Sequence, residues 1–222
     1  MAQRPVFLPD RGDALVEERY IEFEWHPGFS AQQKKRSVIS LHQAANEMGI
    51  SLVLEVSTKS ESALGRSLSA FNLSLDAGAE MALPVEAAFQ GSKVFEQGGP
   101  YREMYGLSGR QIKRDERLKN SGLLERFDFL GDVWGLEPKT AFYDWLYVKA
   151  LSQHPELAAE VGSYAAFSDI EFSPKKSINC QAKSVALFVS LQDKNLLEEA
   201  LSGKDAFVHL LNGGGPSRLF PA

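Results

Sequence analysis

Residues 68–96, LSAFNLSLDAGAEMALPVEAAFQGSKVFE, are the stretch that decides the fold of this chain. Pro84 suits the first turn of a helix and the Gly-Gly-Pro at 98–100 is a strong stop. The pattern predicts one helix of about four turns between them. At 100° per residue, that helix would place three polar residues on one face: Glu86, Gln90 and Lys93.

Two interpretations of this face are open. Glu, Gln and Lys at helical spacing are typical of a solvated surface. However, residues 68–75, LSAFNLSL, alternate in character and predict a strand just before the helix. A strand with small and amide side chains beside an acid- and amine-bearing helix suits the binding of a sugar or a phosphate.

The whole chain predicts a single domain. Its 222 residues are enough to bury one large core, and no internal repeat or Pro/Gly/Ser-rich linker divides it. We expect an α+β domain over residues 1–222, largely helical with a small sheet, whose motif-bearing core covers about residues 66–190.

Other segments predict the remaining elements. RYIEFEW at 19–25 and SLVLEV at 51–56 have the period-two pattern of strands, and FDFLGDVWGLEPK at 127–139 is expected to be irregular or short-stranded. Helices are predicted from Ser30 to about Met48, over 108–120, from Thr140 to about Leu151, over 155–164, from Ser177 or Asn179 onward, and from Asp193 to Leu211 before the stop at 213–216.

Composition excludes several classes of site. The single cysteine, Cys180, excludes an internal disulfide and a cysteine-based zinc cluster. The histidines are scattered, and GxGxxG, GxxxxGK[ST] and GxSxG are absent. We therefore predict no metal and no cofactor.

The ends and the charge of the chain bear on its location and partners. The N-terminus lacks the apolar core of a signal peptide, and the longest apolar run, 185–189, is too short to span a bilayer, so we expect a cytoplasmic protein without membrane contact. A net charge of −5 argues against a general nucleic-acid binder. The basic run 108–120 is either a solvated helix face or a local contact to a nucleic-acid backbone.

A second polar cluster lies around the start of the helix that is predicted from Ser177 or Asn179 onward. Backbone N–H groups at a helix start favour anions, so this cluster suits a phosphate or pyrophosphate, although an ordinary capped helix with a surface lysine pair explains it equally well. Asp169 is a candidate for orienting a sugar hydroxyl or for general-base catalysis. The cluster comprises Asp169, Glu171, Lys175, Lys176, Ser177, Asn179 and Gln181.

Three of these segments resemble the NADAR (NAD- and ADP-ribose-associated) family. LSAFNL, VEAAFQGSKVFE and FSDIEFSPKKSINCQAKSVAL match its pattern of LSNF, EHxxQxxK and an aspartate ahead of a Gly-Asn helix start. RPVF at 4–7 and EPKTAFYDWLY at 137–147 extend the resemblance, to about Leu211, to the NADAR antitoxins paired with DarT-type toxins. Two positions depart from the pattern, because Ala70 stands at the LSNF asparagine and Ala87 at the family histidine.

The resemblance implies an ADP-ribosyl glycohydrolase. A DarT-type toxin transfers ADP-ribose from NAD onto a guanine base in DNA, and a NADAR partner would cleave the N-glycosidic bond and restore the base. The implied catalytic residues are Glu86, Lys93 and Asp169. Of the substrate-binding residues that we expect, the resemblance implies Gln90 and Asn179. The others are polar side chains near these motifs: Arg66, Ser69, Asn72, Lys176 and Gln181.

The residue types fit this chemistry. A carboxylate such as Glu86 can stabilise an oxocarbenium-like transition state or activate water. Lys93 either binds a phosphate or hydroxyl, or attacks the anomeric carbon as a neutral amine, the role we favour. Two other functions stay open: an N-glycosidase acting on a small ribosylamine phosphate, and a protein that binds the toxin or ADP-ribose without catalysis. The expected partners are ADP-ribosylated nucleic acid and a DarT-type toxin.

Overall fold

The computed structural model describes residues 1–10, 12, 14–28, 30–78 and 82–215 and has the predicted α+β fold. The helices are α1 (Ala31–Glu47), α2 (Ala63–Ser67), α3 (Val85–Gly91), α4 (Gly109–Arg114), α5 (Arg117–Asn120), α6 (Ala141–Ser152), α7 (Pro155–Val161), α8 (Gln181–Asp193), α9 (Leu197–Leu201) and α10 (Lys204–Leu211). The strands are β1 (Ala2–Pro9), β2 (Val16–Phe23), β3 (Val53–Glu55), β4 (Ser74–Asp76), β5 (Ala82–Pro84), β6 (Lys93–Phe95), β7 (Leu124–Phe129), β8 (Asp132–Trp134) and β9 (Ala166–Ser168). A 3₁₀ turn covers Arg102–Gly106.

In the described residues the strands form three small sheets. The largest has the order β2-β1-β9-β3, with β1 antiparallel to both neighbours and β3 parallel to β9. β4 pairs with β5, and β6, β7 and β8 form an antiparallel sheet. The strands are therefore divided among three separate small sheets in this part of the chain.

The first strand and helix predictions are confirmed. In β2, Ile21 and Phe23 are buried while Glu22 is exposed, as the period-two pattern predicts. Ser30 caps α1, and its side chain and that of Gln33 form a reciprocal capping box. These local signals are strong because each satisfies backbone groups of its own element.

The long helix predicted from Pro84 to the Gly-Gly-Pro is wrong. α3 begins at Val85 but ends at Gly91, and residues 93–95 pair with β7 as strand β6. A Cβ at Gly91 would lie 2.5 Å from Tyr105 Cε1 and 3.0 Å from the Tyr101 carbonyl oxygen, so the chain passes close to the 3₁₀ turn there. The tertiary pairing with β7 overrides the local helical pattern that follows.

The strand predicted at 68–75 is also wrong in its first half. Leu68 is the C-cap of α2. The chain then makes a tight turn, in which the Ser69 carbonyl accepts the N–H groups of Asn72 and Leu73, each at 2.7 Å. The strand begins only at Ser74. Distant residues fix the turn, since the Tyr147 hydroxyl donates to the Leu68 carbonyl.

Other boundaries differ less. The basic run at 108–120 is two short helices, because Asp115 leaves helical geometry and its side chain accepts the Arg117 N–H at 3.1 Å. Cys180, instead of Ser177 or Asn179, is the N-cap of α8. The 193–211 segment contains α9 and α10, and Pro216 of the predicted stop lies outside the described residues. The short strands in 127–139 and the helices starting at Thr140 and Pro155 are as predicted.

The core is built around α6 and α8, which are buried on almost all sides and pack against each other. An aromatic cluster joins α6 to α3 and β7: the ring centroids of Phe127 and Phe142 are 4.7 Å apart, and those of Phe89 and Tyr143 are 5.2 Å apart. These contacts hold α3 rigidly against the core. The polar residues at its surface are therefore presented from a fixed base.

Candidate functional site

The first turn of α3 carries the candidate acid. The Glu86 N–H donates to the Ala70 carbonyl at 2.9 Å, which joins α3 to the 68–73 turn. The Gln90 side-chain amide donates to Glu86 Oε1 at 3.1 Å. Both side chains are half-buried, so the carboxylate is oriented by a neighbour while keeping access to solvent.

Lys93 joins this pair although it lies on β6 and not on the helix. Its Nζ is 4.9 Å from the centre of the Phe89 ring. Burial lowers the pKa of Lys93, and the negative charge of Glu86 acts in the opposite direction. The turn at Gly91 thus brings together the acid, the amide and the amine that the sequence placed on one helix face.

A cleft of about 720 Å³ connects α3 and β6 with the segment before α8. It contains Gln90 and Lys93 from the first predicted cluster and Lys176 and Asn179 from the second. Asn179 Oδ1 is buried and has no hydrogen-bond partner among the described residues, so a ligand donor would satisfy it. The lining residues are Phe89, Gln90, Lys93, Leu124, Phe127, Leu136, Glu137, Lys139, Pro174, Lys175, Lys176, Ser177, Ile178 and Asn179.

The charge of this cleft favours anions. Four lysines line it against one carboxylate, Glu137. The sequence did not predict Lys139 as a site residue. The EPK segment at 137–139 stands out only through its family resemblance. Phe127 was also missed, since its aromatic segment was expected to be irregular or short-stranded and carried no predicted site residue.

Asp169 lies behind the cleft and not in its lining. Its Oδ1 accepts the N–H groups of Glu171 at 2.9 Å and Phe172 at 3.2 Å. Burial, together with the nearby Glu55 charge, raises the pKa of Asp169 to about 8. This shift favours the protonated carboxyl over the carboxylate that a general base requires.

Tyr143 is buried close to both Glu86 and Asp169. Burial raises the pKa of its phenol well above the usual value, and the charge of Glu86 and, more weakly, that of Asp169 act in the same direction. Its ring packs edge-on against Phe89. Glu86 and Asp169 thus belong to one electrostatic neighbourhood, although only Glu86 reaches the surface.

The remaining predicted substrate-binding residues stabilise the 68–73 turn. The Asn72 side chain donates to the Arg66 carbonyl at 2.7 Å, and Arg66 Nη1 donates to the carbonyls of Ser60 at 2.9 Å and Glu61 at 2.7 Å. Ser69 is buried, and Gln181 Oε1 accepts the Ala70 N–H at 2.9 Å. None of the four side chains lines the lysine-rich cleft, and their contact with a substrate stays a prediction.

A buried carboxyl network on the other side of Asp169 was not predicted. Glu55 accepts hydrogen bonds from Ser57 Oγ and Ser168 Oγ, each at 2.7 Å, and from the Ile170 N–H at 2.9 Å. His42 Nε2 lies 2.9 Å from Ser168 Oγ. The sequence signal that could have indicated this network is the acidic Glu55 within the mostly apolar SLVLEV segment.

No group of three or more His, Cys, Asp or Glu side chains in the described ranges is placed to hold a metal ion. None of the helices described combines the length and the apolar character of a transmembrane span.

Comparison with known proteins gives one family. A family model described as DarT1-associated NADAR antitoxin matches residues 2–215. No curated protein matches the chain.

Proposed function

The chain belongs to the DarT1-associated NADAR antitoxin family, and on this premise we propose that it removes ADP-ribose from guanine bases of DNA by hydrolysing the N-glycosidic bond. The family supports a role as an antitoxin associated with a DarT-type toxin. A hydrolase that restores the modified base would act as an antitoxin without having to bind the toxin.

The observation that carries the proposal is the position of Glu86 and Lys93 relative to the lysine-rich cleft. A carboxylate oriented by Gln90 and an amine of lowered pKa lie together, and Lys93 also lines the cleft with three further lysines. ADP-ribose combines an electrophilic anomeric carbon with an anionic diphosphate. The two halves of the site match these two features of one substrate.

Glu86 is proposed to act on the anomeric centre. Cleavage of the glycosidic bond develops positive charge on the ribose, and a fixed carboxylate stabilises that charge or deprotonates the attacking water. The hydrogen bond from Gln90 orients the carboxylate before the substrate arrives. This pre-organisation reduces the rearrangement needed in the transition state.

Lys93 is proposed to be the nucleophile. Its neutral amine would attack the anomeric carbon as the bond to guanine breaks, and the leaving guanine would take up a proton. Opening of the ribose ring would then give an imine, which water hydrolyses to release ADP-ribose and regenerate the amine. The lowered pKa of Lys93 increases the fraction of neutral amine available for this step.

The cleft lysines are proposed to bind the diphosphate. Lys139, Lys175 and Lys176 supply positive charge. Asn179 Oδ1, which is buried and has no hydrogen-bond partner among the described residues, is proposed to accept a hydrogen bond from a ribose hydroxyl. Asp169, which is buried, is proposed to be a positioning residue, because its side chain holds the turn at 169–172 that precedes these residues.

The experiment that tests this function compares two substrates. Wild-type protein is incubated with a DNA oligonucleotide carrying ADP-ribosylated guanine and, separately, with the free modified nucleotide, and released ADP-ribose is measured by mass spectrometry. We expect release from the oligonucleotide together with restored guanine. Turnover of the nucleotide alone would favour a metabolic N-glycosidase, and binding without release from either would favour a non-catalytic ADP-ribose-binding protein.

A further inference from the structure

The basic run at 108–120 divides into a neutralised part and an unpaired part. Arg117 is held by Asp115, with Nη2 and Oδ2 2.7 Å apart, and by Glu103. In contrast, Arg110, Lys113 and Arg114 are exposed and form no ion pair with any residue in the described ranges. Lys119 on α5 is also exposed and forms no ion pair within the described ranges, so three of the four unpaired cations of the run lie on α4.

These three cations share a cleft of about 610 Å³ with Thr58 and Phe71. Lys113 Nζ lies 4.7 Å from the centre of the Phe71 ring, which limits the positions that this flexible side chain adopts. A Cβ at Gly109 would lie 2.5 Å from Phe71 Cδ1, so glycine permits α4 to start directly against the ring. Lys113 and the start of α4 are thus held against the turn that precedes β4.

That turn is joined to the proposed catalytic residue. Phe71 follows Ala70, whose carbonyl accepts the Glu86 N–H at 2.9 Å. α4 also packs against α3 through its buried side, which contains Ile112. The cationic cleft therefore lies on the elements that hold Glu86, and it is separate from the lysine-rich cleft beyond Gln90.

We propose that the cleft formed by Thr58, Phe71, Arg110, Lys113 and Arg114 binds the phosphodiester backbone of the nucleic-acid strand next to the modified base. The inference rests on the proposed function, because a strand whose base enters near Glu86 must carry its flanking phosphates across a neighbouring surface. Unpaired Arg and Lys side chains bind such phosphates without reading sequence. The overall charge of −5 limits non-specific attraction elsewhere.

The test uses the triple variant Arg110→Gln, Lys113→Gln, Arg114→Gln. We expect kcat/KM for a modified single-stranded oligonucleotide to fall about tenfold or more through KM, since each lost cation removes a phosphate contact. Activity on the free modified nucleotide should stay at the wild-type level. A matched control, Arg19→Gln, Lys35→Gln, Lys204→Gln, removes the same charge from other exposed positions and should leave both activities near wild type.

Binding of an unmodified single-stranded oligonucleotide provides a readout that does not depend on catalysis. The slope of log affinity against log salt should be smaller by about 2 in the triple variant than in wild type, because about 0.7 counterions are released per phosphate contact. This slope is measurable even if wild type releases no ADP-ribose, so failure of the proposed function and failure of the surface are distinguishable.

Three outcomes would overturn the proposal. They are an unchanged salt slope in the triple variant, an equal loss of activity on both substrates, and unchanged oligonucleotide binding accompanied by lost binding to polyglutamate. The last result would assign the cleft to an acidic protein partner.

Discussion

At the scale of single residues, Lys93 is the side chain whose role depends most on its surroundings. Contact with the Phe89 ring and the charge of Glu86 both favour the ammonium form, whereas burial favours the neutral amine. Burial is the largest of the influences on its pKa, so the net shift is downward. Lys93 is therefore better suited to nucleophilic attack than the exposed lysines of the cleft.

We predict that Lys93 forms a covalent intermediate that can be trapped. Wild-type protein mixed with modified DNA and borohydride should gain the mass of one ADP-ribose, because reduction converts the imine into a stable amine. Lys93→Arg keeps the positive charge but cannot form this imine, and it should show no gain in mass by intact-protein mass spectrometry. If wild type gives no adduct during turnover, Lys93 is a binding residue.

At the scale of elements, the buried carboxyl network links α1, β3 and β9. His42 on α1 contacts Ser168 on β9, and Ser168 donates to Glu55 on β3. Burial lowers the pKa of His42 to about 4, whereas burial raises that of Glu55 to about 7. The network therefore keeps both His42 and Glu55 close to neutral in the folded protein in mildly acidic solution.

The His42 shift predicts a loss of stability in acid. The unfolded chain protonates this histidine near pH 6.5 and the folded protein only near 4, so stability is lost as the pH falls between these values. His42→Gln should lose less free energy of unfolding than wild type between pH 7 and 4.5, by up to about 2 kcal/mol. Urea unfolding at both pH values measures this, with His26→Gln as the control; equal losses in wild type and His42→Gln would contradict the prediction.

The elements that sequence predicted well are those whose signals are local. The capping box at Ser30 and the alternation around Ile21 satisfy their own backbone or bury their own face, and both are found. The end of α3 depends instead on the approach of Tyr105 to Gly91 and on pairing with β7. No pattern within residues 84–100 carries information about those distant partners, so the helix was predicted too long.

Part of the proposed site likewise rests on local sequence signals. Glu86, Gln90, Lys93, Lys176 and Asn179 belong to short motifs, and the fold gathers four of them in one cleft with Glu86 bonded to Gln90. Glu55 and Tyr143 lie outside the cleft lining, and sheet pairing and core packing bring them near Asp169 and Glu86. Their influence depends on tertiary contacts, which no local sequence pattern indicates.

At the scale of the whole molecule, two clefts among the described residues are rich in Lys and Arg, although the net charge of the protein is negative. One cleft extends from Lys93 and the other lies on α4. Glu86 is connected to both, through Gln90 in one direction and through Ala70 in the other. This arrangement suits a substrate in which an ADP-ribose group and a nucleic-acid strand meet at one glycosidic bond.

The most direct test of this account is the release of ADP-ribose from DNA containing ADP-ribosylated guanine by wild type and by Glu86→Gln. Glutamine keeps the size of the side chain and an oxygen that can accept the Gln90 amide, so the thermal unfolding midpoint should change little. The account predicts that release slows by about a hundredfold or more, because the charge that stabilises the transition state is removed. Release at the wild-type rate by a folded Glu86→Gln protein would contradict it.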